Sequence, residues 1–477
     1  MKLFLSSQFY FLLISILLLF NFCSDKKEPL DQLIKYVENN SDFSYEIKDS
    51  VVTDSWKTYH IKMYSGNWLT KKEVNIPDWW HWVDVVVPRE VKSNKALMFI
   101  GGGTRLDNNS FLDSITIEHA VQTKSVIAHI SNIPFQPISF KGSNGKEFYE
   151  DDLIAYGWEK FLKNGARDTD LKWLARFPMT RAVSRGLDVV EDITKLSKMP
   201  ISSFFVAGAS KRGWTTWTTA AVDSRVIGMA PIVIDMLNVT PSMHHHYKAY
   251  GEWSIAIEDY ENYNIMEWMN SKEYDKLLKH VEPYEFIEKF SSIPKFLING
   301  TIDEFFVTDS WRFYWDDLKG VKHLQYVPNG NHGLRGDYYN MTLKNLISYY
   351  YRVINDIKMP IFDWKVHKDS VYVRIDPNQK YSISKWTSNN TKERDFRIWK
   401  VGDSSWVQSK IEKNNSGSYV FLKEINEGYT AGLIEVEFNG IEDFPLKLTS
   451  GTWIYPDTYP FKEYKPEPPL GTPLLSD

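Results

Sequence analysis

One serine of the 477-residue chain stands where a folded protein can expose a nucleophile. Ser210 lies in the run VAGASKRG at positions 206–213, after an apolar strand pattern and before a helix pattern. A nucleophile on such a strand-to-helix turn needs small neighbours, and Gly208 and Ala209 meet that requirement. Arg212 stands where a second glycine is usual, and Gly213 follows one place later, so the run alone also fits an ordinary turn.

Two later loops carry the groups that would make Ser210 reactive. Asp303 follows the strand pattern at 295–299, and His332 follows the strand pattern at 322–327. Serine, acid and histidine, in this order on loops after successive strands, are typical of α/β-hydrolases. The histidine would take the serine proton during attack on a carbonyl, and the carboxylate would fix the histidine tautomer. We therefore predict a triad of Ser210, Asp303 and His332, with Glu304 as the alternative acid.

Backbone N–H groups near Ser210 are candidates for an oxyanion hole. The tetrahedral intermediate of acyl transfer needs two such donors. Lys211, directly after the nucleophile, stands in the position of the first donor. Gly102 and Gly103 belong to a glycine-rich loop after the strand pattern at 96–100, which is where the second donor is expected. A plain tight turn is the other interpretation of these glycines.

Strand and helix patterns alternate through residues 25–358. Apolar runs at 96–100, 125–130, 203–206 and 225–234 alternate with helix patterns at 110–123, 177–196 and 214–222, and a further helix is predicted at 308–318. This alternation indicates parallel βαβ units. A segment at about 237–292, rich in Trp, Tyr and Glu, interrupts it. The fold class predicted is α/β: an α/β-hydrolase fold, with a mostly parallel sheet flanked by helices and a helical cap insertion.

The pattern changes after Pro360. Short alternating runs at 370–375, 396–401, 418–422 and 432–439 are separated by polar turns. This spacing predicts a C-terminal β-sandwich domain over residues 360–465. The proline-rich tail at 466–477 is expected to be extended over the surface or loose.

Residues 1–23 have the pattern of an export signal. Lys2 precedes an apolar run, from about residue 9 to 22, that is too short to span a membrane comfortably. Cys23 is the single cysteine and stands where a lipoprotein signal accepts lipid, although the bulky Phe22 is unusual there. A lipoprotein signal, a plain cleaved signal and a retained anchor all fit. We predict an exported chain, either membrane-anchored by lipid on Cys23 or secreted or periplasmic.

Charge and residue spacing argue against two classes of partner. The net charge of −5 does not fit a nucleic-acid partner, which usually requires a basic face. His244, His245 and His246 are adjacent and point to different sides of an element, so no metal site is predicted, and no cofactor. Lys211 and Arg212 beside the nucleophile would either favour an anionic substrate group or pair with carboxylates of a neighbouring loop.

With these residues in place, the chain resembles the PhoPQ-activated pathogenicity-related protein family, which includes the autocrine proliferation repressor type. The resemblance extends from about residue 60 to 450 and rests on the runs EDDLIAY at 150–156, FPMTRA at 177–182, VAGASKRGWTTW at 206–217, NGTIDEFF at 299–306 and RDFR at 394–397. It implies an α/β-hydrolase core, related to serine peptidases of the prolyl oligopeptidase kind, and a small β domain.

Two functions follow as hypotheses. The first is an exported serine hydrolase, possibly peptidase-like, that acts on a peptide or ester bond. The second is a secreted or surface binding or signalling protein that keeps the hydrolase fold without significant turnover, because some members of the family resemble secreted signals. The substrate and the oligomeric state stay open.

Overall fold

A 14-stranded sheet runs through the computed structural model, which describes residues 28–39, 42–107, 112–424, 427–441 and 443–474. The strands of its first part are β1 (Ser44–Val52), β2 (Trp56–Asn67), β3 (Asp78–Pro88), β4 (Lys95–Ile100), β5 (Ile127–Ile130), β6 (Ser203–Ala209), β7 (Val226–Ile232), β8 (Lys295–Gly300) and β9 (Lys322–Val327). The helices are α1 (Pro29–Glu38), α2 (Ser114–Thr123), α3 (Glu150–Lys163), α4 (Arg176–Thr194), α5 (Lys211–Val222), α6 (Val239–Tyr250), α7 (Glu258–Asn262), α8 (Lys272–Val281), α9 (Asp337–Ile354) and the short α10 (Ile398–Val401).

The order of these strands is that of an α/β-hydrolase. Neighbours follow the order β1-β2-β3-β5-β4-β6-β7-β8-β9, with antiparallel pairing from β1 to β5 and parallel pairing from β5 to β9. The parallel strands are short apolar runs because both of their faces are covered. Met98 in β4 approaches Gly186 of α4, whereas Phe99, on the opposite face, lies near Leu343 of α9. Helices therefore cover both faces of the sheet.

The insertion between β7 and β8 is helical. It contains α6, α7 and α8, together with 3-10 turns at Ile255–Ile257, Met266–Trp268 and Pro283–Phe290. The apolar residues of this insertion pack toward the hydrolase core, and Leu277 and Val281 of α8 are buried. The predicted α/β-hydrolase fold with a helical cap insertion is thus the fold of the chain.

Two layers of strands form the C-terminal β-sandwich. Its strands are β10 (Phe362–Val366), β11 (Ser370–Ile375), β12 (Tyr381–Asn390), β13 (Val407–Ile411), β14 (Ser418–Leu422), β15 (Tyr429–Ile441), β16 (Phe444–Thr449) and β17 (Trp453–Tyr455). β10, β11 and β14 form one layer, and the hydroxyl groups of Tyr381 and Tyr419, 2.9 Å apart, join it to the other layer. The second layer continues the hydrolase sheet, because Thr449 of β16 pairs with Leu324 of β9.

Two of the predicted elements have a different structure. The helix predicted at 308–318 is reduced to a 3-10 turn, Ser310–Phe313, because Asp309 binds Arg394 and the Trp311 indole N–H donates to the carbonyl of Thr452. The strand predicted at 396–401 is instead the helical turn α10, since the guanidinium of Arg397 folds back onto its own neighbour Asp395.

The proline-rich tail lies along the cap. The backbone N–H of Leu470 donates to the carbonyl of Glu267, and that of Leu474 donates to the carbonyl of Asn270. Thr472 binds the carboxylate of Glu273 through its N–H and its hydroxyl group. The described part of the tail is therefore extended over the surface of the cap and hydrogen-bonded to it.

Residues 1–23, including Cys23, lie outside the described residues. Within the part of the chain that the structure describes, a search for a helix with the length and apolarity needed to cross a membrane found none.

Candidate active site

Ser210 occupies a strained turn between β6 and α5. Its φ of 57° and ψ of −126° are outside the regions that non-glycine residues prefer, and such strain clusters at functional sites. Two backbone hydrogen bonds hold this turn. The Ser210 N–H donates to the carbonyl of Ile232 in β7 at 2.8 Å, and the Ser210 carbonyl accepts the N–H of Trp214 at 3.0 Å.

The spacing of the glycines around Ser210 has a steric reason. A Cβ on Gly208 would lie 2.8 Å from the carbonyl oxygen of Arg212, and one on Gly213 would lie 3.0 Å from the carbonyl oxygen of Gly208. The helix start therefore packs on the strand end through these two glycines. Position 213 is therefore the one that requires glycine after the serine. This explains why Arg212 is tolerated at position 212, where a second glycine is usual.

The structure brings Ser210, His332 and Asp303 together. Ser210 Oγ lies 3.0 Å from His332 Nε2, and His332 Nδ1 lies 2.9 Å from Asp303 Oδ2 and 3.1 Å from Oδ1. Asp303 is buried, and its Oδ1 also accepts the backbone N–H of Phe305 at 2.7 Å. With a proton on Nδ1, His332 donates to the carboxylate and keeps Nε2 free to accept the serine proton.

Hydrogen bonds that involve the loops after β8 and β9 fix the positions of Asp303 and His332. The N–H of Ile302 donates to the carbonyl of Gly330 at 3.1 Å, so the two loops cross directly. Glu304, the alternative acid, accepts the backbone N–H of His332 at 2.7 Å and the side-chain amide of Asn331 at 3.2 Å. Its carboxylate thus binds the histidine loop, whereas Asp303 binds the imidazole ring.

The predicted oxyanion donors lie around Ser210 with one difference between the two glycines. Lys211 is the first residue of α5, so its N–H has no acceptor within the helix. Gly102 lines a cavity of about 220 Å³ that also contacts Ser210 and His332. Gly103 is not among the residues that line this cavity, and its carbonyl accepts from the Gln136 side chain at 2.9 Å. Gly102 is therefore the better placed of the two glycines.

The cationic pair beside the nucleophile is bound by carboxylates at the start of α3. Lys211 Nζ lies 2.8 Å from Glu150 Oε2 and 2.8 Å from Asp151 Oδ2, and Arg212 lies 2.5 Å from Glu150 Oε1. Burial alone would raise the pKa of Glu150, but the charges of Arg212 and Lys211 outweigh it and lower that pKa to about 2. Of the two alternatives for this pair, the structure shows pairing with carboxylates.

Asp151 is a residue of the site that the sequence pattern alone does not identify. By sequence, Asp151 and Asp152 fit either part of a site or a packed or solvated helix face, and the second interpretation is the more common one. Asp151 instead lines the cavity at Ser210, and its other oxygen accepts the hydroxyl of Tyr260 from the cap at 3.0 Å. The usable signal was an acidic run at a helix start together with two cations beside the nucleophile.

A narrow apolar cavity adjoins Ser210 on the cap side. Its volume is about 70 Å³, and most of its walls are apolar. The cap contributes residues including Met243, Ile257, Ile265, Met266 and Met269, and the core contributes Trp158, Trp214, Met236 and Phe305. The cap therefore forms one wall of the site. Methionine side chains adapt their shape readily, so this wall can adjust to an occupant.

The three consecutive histidines have separate partners. His245 Nε2 lies 2.9 Å from Asp309, and its Nδ1 lies 2.8 Å from the hydroxyl of Tyr459. His246 accepts the N–H of Ser254, and His244 pairs with Glu463. Among the described residues, no group of three His, Cys, Asp or Glu side chains is arranged to hold a metal ion.

The run RDFR at 394–397 connects the sandwich to the hydrolase core. The fully buried Arg394 lies 2.7 Å from Asp309, which also binds His245 of the cap. Arg397 binds Asp395. The contacts of Asp309 with Arg394 and with His245 therefore join the sandwich, the loop after β8 and the cap.

Comparison with known proteins identifies a matching family, a sequence relative and solved structures with a similar fold. The family model for PhoPQ-activated pathogenicity-related protein matches residues 33–397. Autocrine proliferation repressor protein A from Dictyostelium discoideum is 32% identical over 477 residues, which cover 94% of this chain and 94% of that protein. Among solved structures, acetyl xylan esterase 1 from Thermoanaerobacterium is 12% identical with a TM-score of 0.46, covering 69% of this chain and 94% of that one. Acylaminoacyl peptidase from Pyrococcus horikoshii is 13% identical with a TM-score of 0.40, covering 66% and 51%.

Proposed function

The chain belongs to the PhoPQ-activated pathogenicity-related protein family, and from that premise we propose that it is a serine hydrolase. The observation that carries the proposal is the unbroken chain of hydrogen bonds from Ser210 through His332 to Asp303. It begins at a strained turn that exposes the serine, and it ends on a buried carboxylate. This is the arrangement that acyl transfer to serine requires.

The reaction proceeds in two halves. His332 Nε2 accepts the hydroxyl proton as Ser210 Oγ bonds to the substrate carbonyl carbon, and the carbonyl π electrons move onto oxygen. The N–H groups of Lys211 and Gly102 stabilise that oxyanion. The intermediate collapses, the leaving group takes the proton from His332, and the acyl group stays on Ser210. A water molecule, deprotonated by His332, then releases the acid and regenerates the serine.

The cavity at Ser210 favours a short apolar acyl group. This cavity is narrow, at about 70 Å³, and its walls are mostly apolar, so it accommodates a short acyl chain better than a long one. Lys211 and Arg212 do not attract an anionic acyl group, since Glu150 and Asp151 already bind them. We therefore propose small uncharged acyl esters, or amides of small apolar residues, as the substrate class.

A second candidate function is a binding or signalling role without significant turnover. The observation that favours it is the name of the 32% identical relative, a proliferation repressor, which matches this chain over nearly its whole length. In that case Ser210 would be dispensable for the biological effect. The cap surface and the sandwich would then provide the binding surface.

Export is part of the proposal as well. The apolar run before Cys23, and the polar residues after it, support a signal that ends in a lipid-accepting cysteine. The mature protein would then begin at Cys23 and be held at a membrane by acyl chains, with its hydrolase domain in the aqueous phase.

A panel of p-nitrophenyl esters tests the hydrolase proposal. We expect turnover of the acetyl and butyryl esters, slower turnover of the octanoyl ester, and loss of all three activities in Ser210→Ala. Truncation of the nucleophile typically costs several orders of magnitude in rate. Parent-level turnover by the folded Ser210→Ala variant would contradict the proposal. No turnover of any ester or aminoacyl amide by the parent would favour the signalling role.

A further inference from the structure

A large cavity lies at the end of the sheet opposite to Ser210. It is a cleft of about 850 Å³ between the hydrolase core and the sandwich. Its walls include Lys95 at the start of β4, Lys322 at the start of β9, Arg352 near the end of α9 and Arg374 of β11. The triad follows the carboxyl ends of the parallel strands, whereas this cleft lies at their amino ends. It is a separate site.

Arg352 carries a buried charge that lacks a counter-ion in the described part of the chain. Only 4% of the residue is exposed, and its Nε has no hydrogen-bond partner. No carboxylate of the described residues lies within ion-pair distance of its guanidinium, although the side chain lines the cleft. A buried charge without a partner is strongly unfavourable, so a ligand that supplies the counter-charge would be held firmly.

Neighbouring side chains add to the positive charge. Lys322 Nζ donates to the carbonyl of Trp315 and lies 4.4 Å from the centre of the Trp315 ring. Lys295, buried beside it, donates to the carbonyl of Lys319 at 2.6 Å. Burial, and the neighbouring charge of Lys322, lower the pKa of Lys295 to about 8. These lysines are thus held by neutral carbonyl groups, and the region keeps an excess of positive charge.

Two carboxylates face the cleft, and each is paired with one of its cations. Asp356 lies 2.8 Å from Lys95, and Asp363 binds Arg374. Lys358 also lines the cleft. Five cations therefore face two carboxylates, and Arg352, Lys322 and Lys358 remain without a carboxylate partner among the described residues. A group with two negative charges and several acceptor oxygens matches this arrangement better than a single carboxylate does.

The rest of the cleft is apolar and aromatic. The rings of Trp315 and Trp364 stack with their centres 5.1 Å apart, and Ile357 and Met359 complete the wall. The volume is in the range of sites for small organic ligands and exceeds what a free phosphate ion needs. We propose that this cleft binds an organic phosphate monoester, with the phosphate group on Arg352 and Lys322 and the apolar body along Trp315 and Trp364.

Calorimetric titration with phenyl phosphate, at matched ionic strength, tests the proposal on the full chain. We expect saturable binding of one molecule, at least tenfold weaker binding in Arg352→Met, and unchanged binding in Arg89→Met, which removes an exposed arginine elsewhere. Inorganic phosphate is expected to bind more weakly than phenyl phosphate. If the inorganic ion binds more tightly, the ligand of the cleft is free phosphate and the proposal of an organic phosphate is wrong. Absence of saturable binding, or equal binding by Arg352→Met and the parent, would overturn the proposal.

Two controls separate this site from the hydrolase site and from folding defects. Ser210→Ala should bind phenyl phosphate as the parent does. Arg352→Met should melt at the same or a higher temperature than the parent in phosphate-free buffer, because it removes a buried unpaired charge. If Arg352→Met does not fold, Lys322→Met serves in its place, again with at least tenfold weaker binding expected and equal binding counting against the site.

Discussion

Replacement of Asp303 by asparagine distinguishes a working triad from three residues that only lie together. Asp303 Oδ2 lies 2.9 Å from His332 Nδ1, and Oδ1 accepts the N–H of Phe305 at 2.7 Å. Asparagine has the same size, and its oxygen can keep the bond to Phe305. Its NH2 group then faces Nδ1, which forces the imidazole proton onto Nε2, where it blocks acceptance from Ser210. The equivalent change in serine proteases lowers the rate by about 10⁴-fold, or about 5 kcal/mol at 1.36 kcal/mol for each factor of ten.

The rate constant for labelling of Ser210 by a fluorophosphonate measures this effect without a known substrate. We expect Asp303→Asn to label about 10³- to 10⁴-fold more slowly than the parent, with a melting temperature close to that of the parent. The matched control is Glu304→Gln, whose amide oxygen can still accept the backbone N–H of His332, so its rate should fall by less than about tenfold. A folded Asp303→Asn variant that labels within tenfold of the parent, or a greater loss in Glu304→Gln, would refute the assignment of the acid.

Four other substitutions test separate parts of the structure. Met269→Ala enlarges the apolar cavity and should raise the octanoyl-to-acetyl ester rate ratio by about tenfold, whereas an unchanged ratio would place the acyl group elsewhere. The pKa of Glu150 is lowered, so the carboxylate contributes to stability above its ordinary pKa of 4.5, and this contribution is lost as the pH falls through about 2. Urea unfolding at pH 6 should show Glu150→Gln less stable than the parent by about 1–2 kcal/mol, a figure reduced for the partial exposure of the side chain. The difference should shrink toward pH 2. Arg394→Met leaves Asp309 with one buried ion-pair partner fewer and should cost about 3 kcal/mol in the same measurement, and a cost below about 1 kcal/mol would mean that this pair does not hold the sandwich. Intact mass should show a mature chain that begins at Cys23 with a lipid adduct, and Cys23→Ala should appear in the soluble fraction, whereas an N-terminus beyond Cys23 would exclude lipidation.

The triad could be predicted because its members follow from local patterns and a fixed chain order. Ser210, Asp303 and His332 each come directly after an apolar strand, and parallel strands bring their carboxyl ends to one edge. The hydrolase fold followed from the same alternation. The partners of Lys211 did not follow, since Glu150 and Asp151 lie about 60 residues earlier, at the start of α3, and no local pattern encodes a contact between such distant residues.

The sequence patterns failed for elements that depend on long-range contacts and for elements whose side chains are mostly exposed. β1 has eight exposed residues in its nine, so it lacks the apolar alternation that indicates a strand. The helix expected at 308–318 is overridden by Arg394 and Thr452, which are far away in the chain. The continuity of the two sheets depends on the pairing of Thr449 with Leu324, and no local pattern encodes the register between such distant residues.

The most direct test of the hydrolase proposal is the position of a fluorophosphonate adduct on the intact, folded chain. The parent protein, labelled near neutral pH and digested, should yield one modified peptide, with the added mass on Ser210. Ser210→Ala, treated in parallel, should show no adduct, because it lacks the nucleophile. Ser65 also lies beside a histidine, with its Oγ 3.0 Å from His81 Nε2, but both residues are buried away from the reagent. An unmodified parent chain, or an adduct on a different serine that persists in Ser210→Ala, would contradict the account.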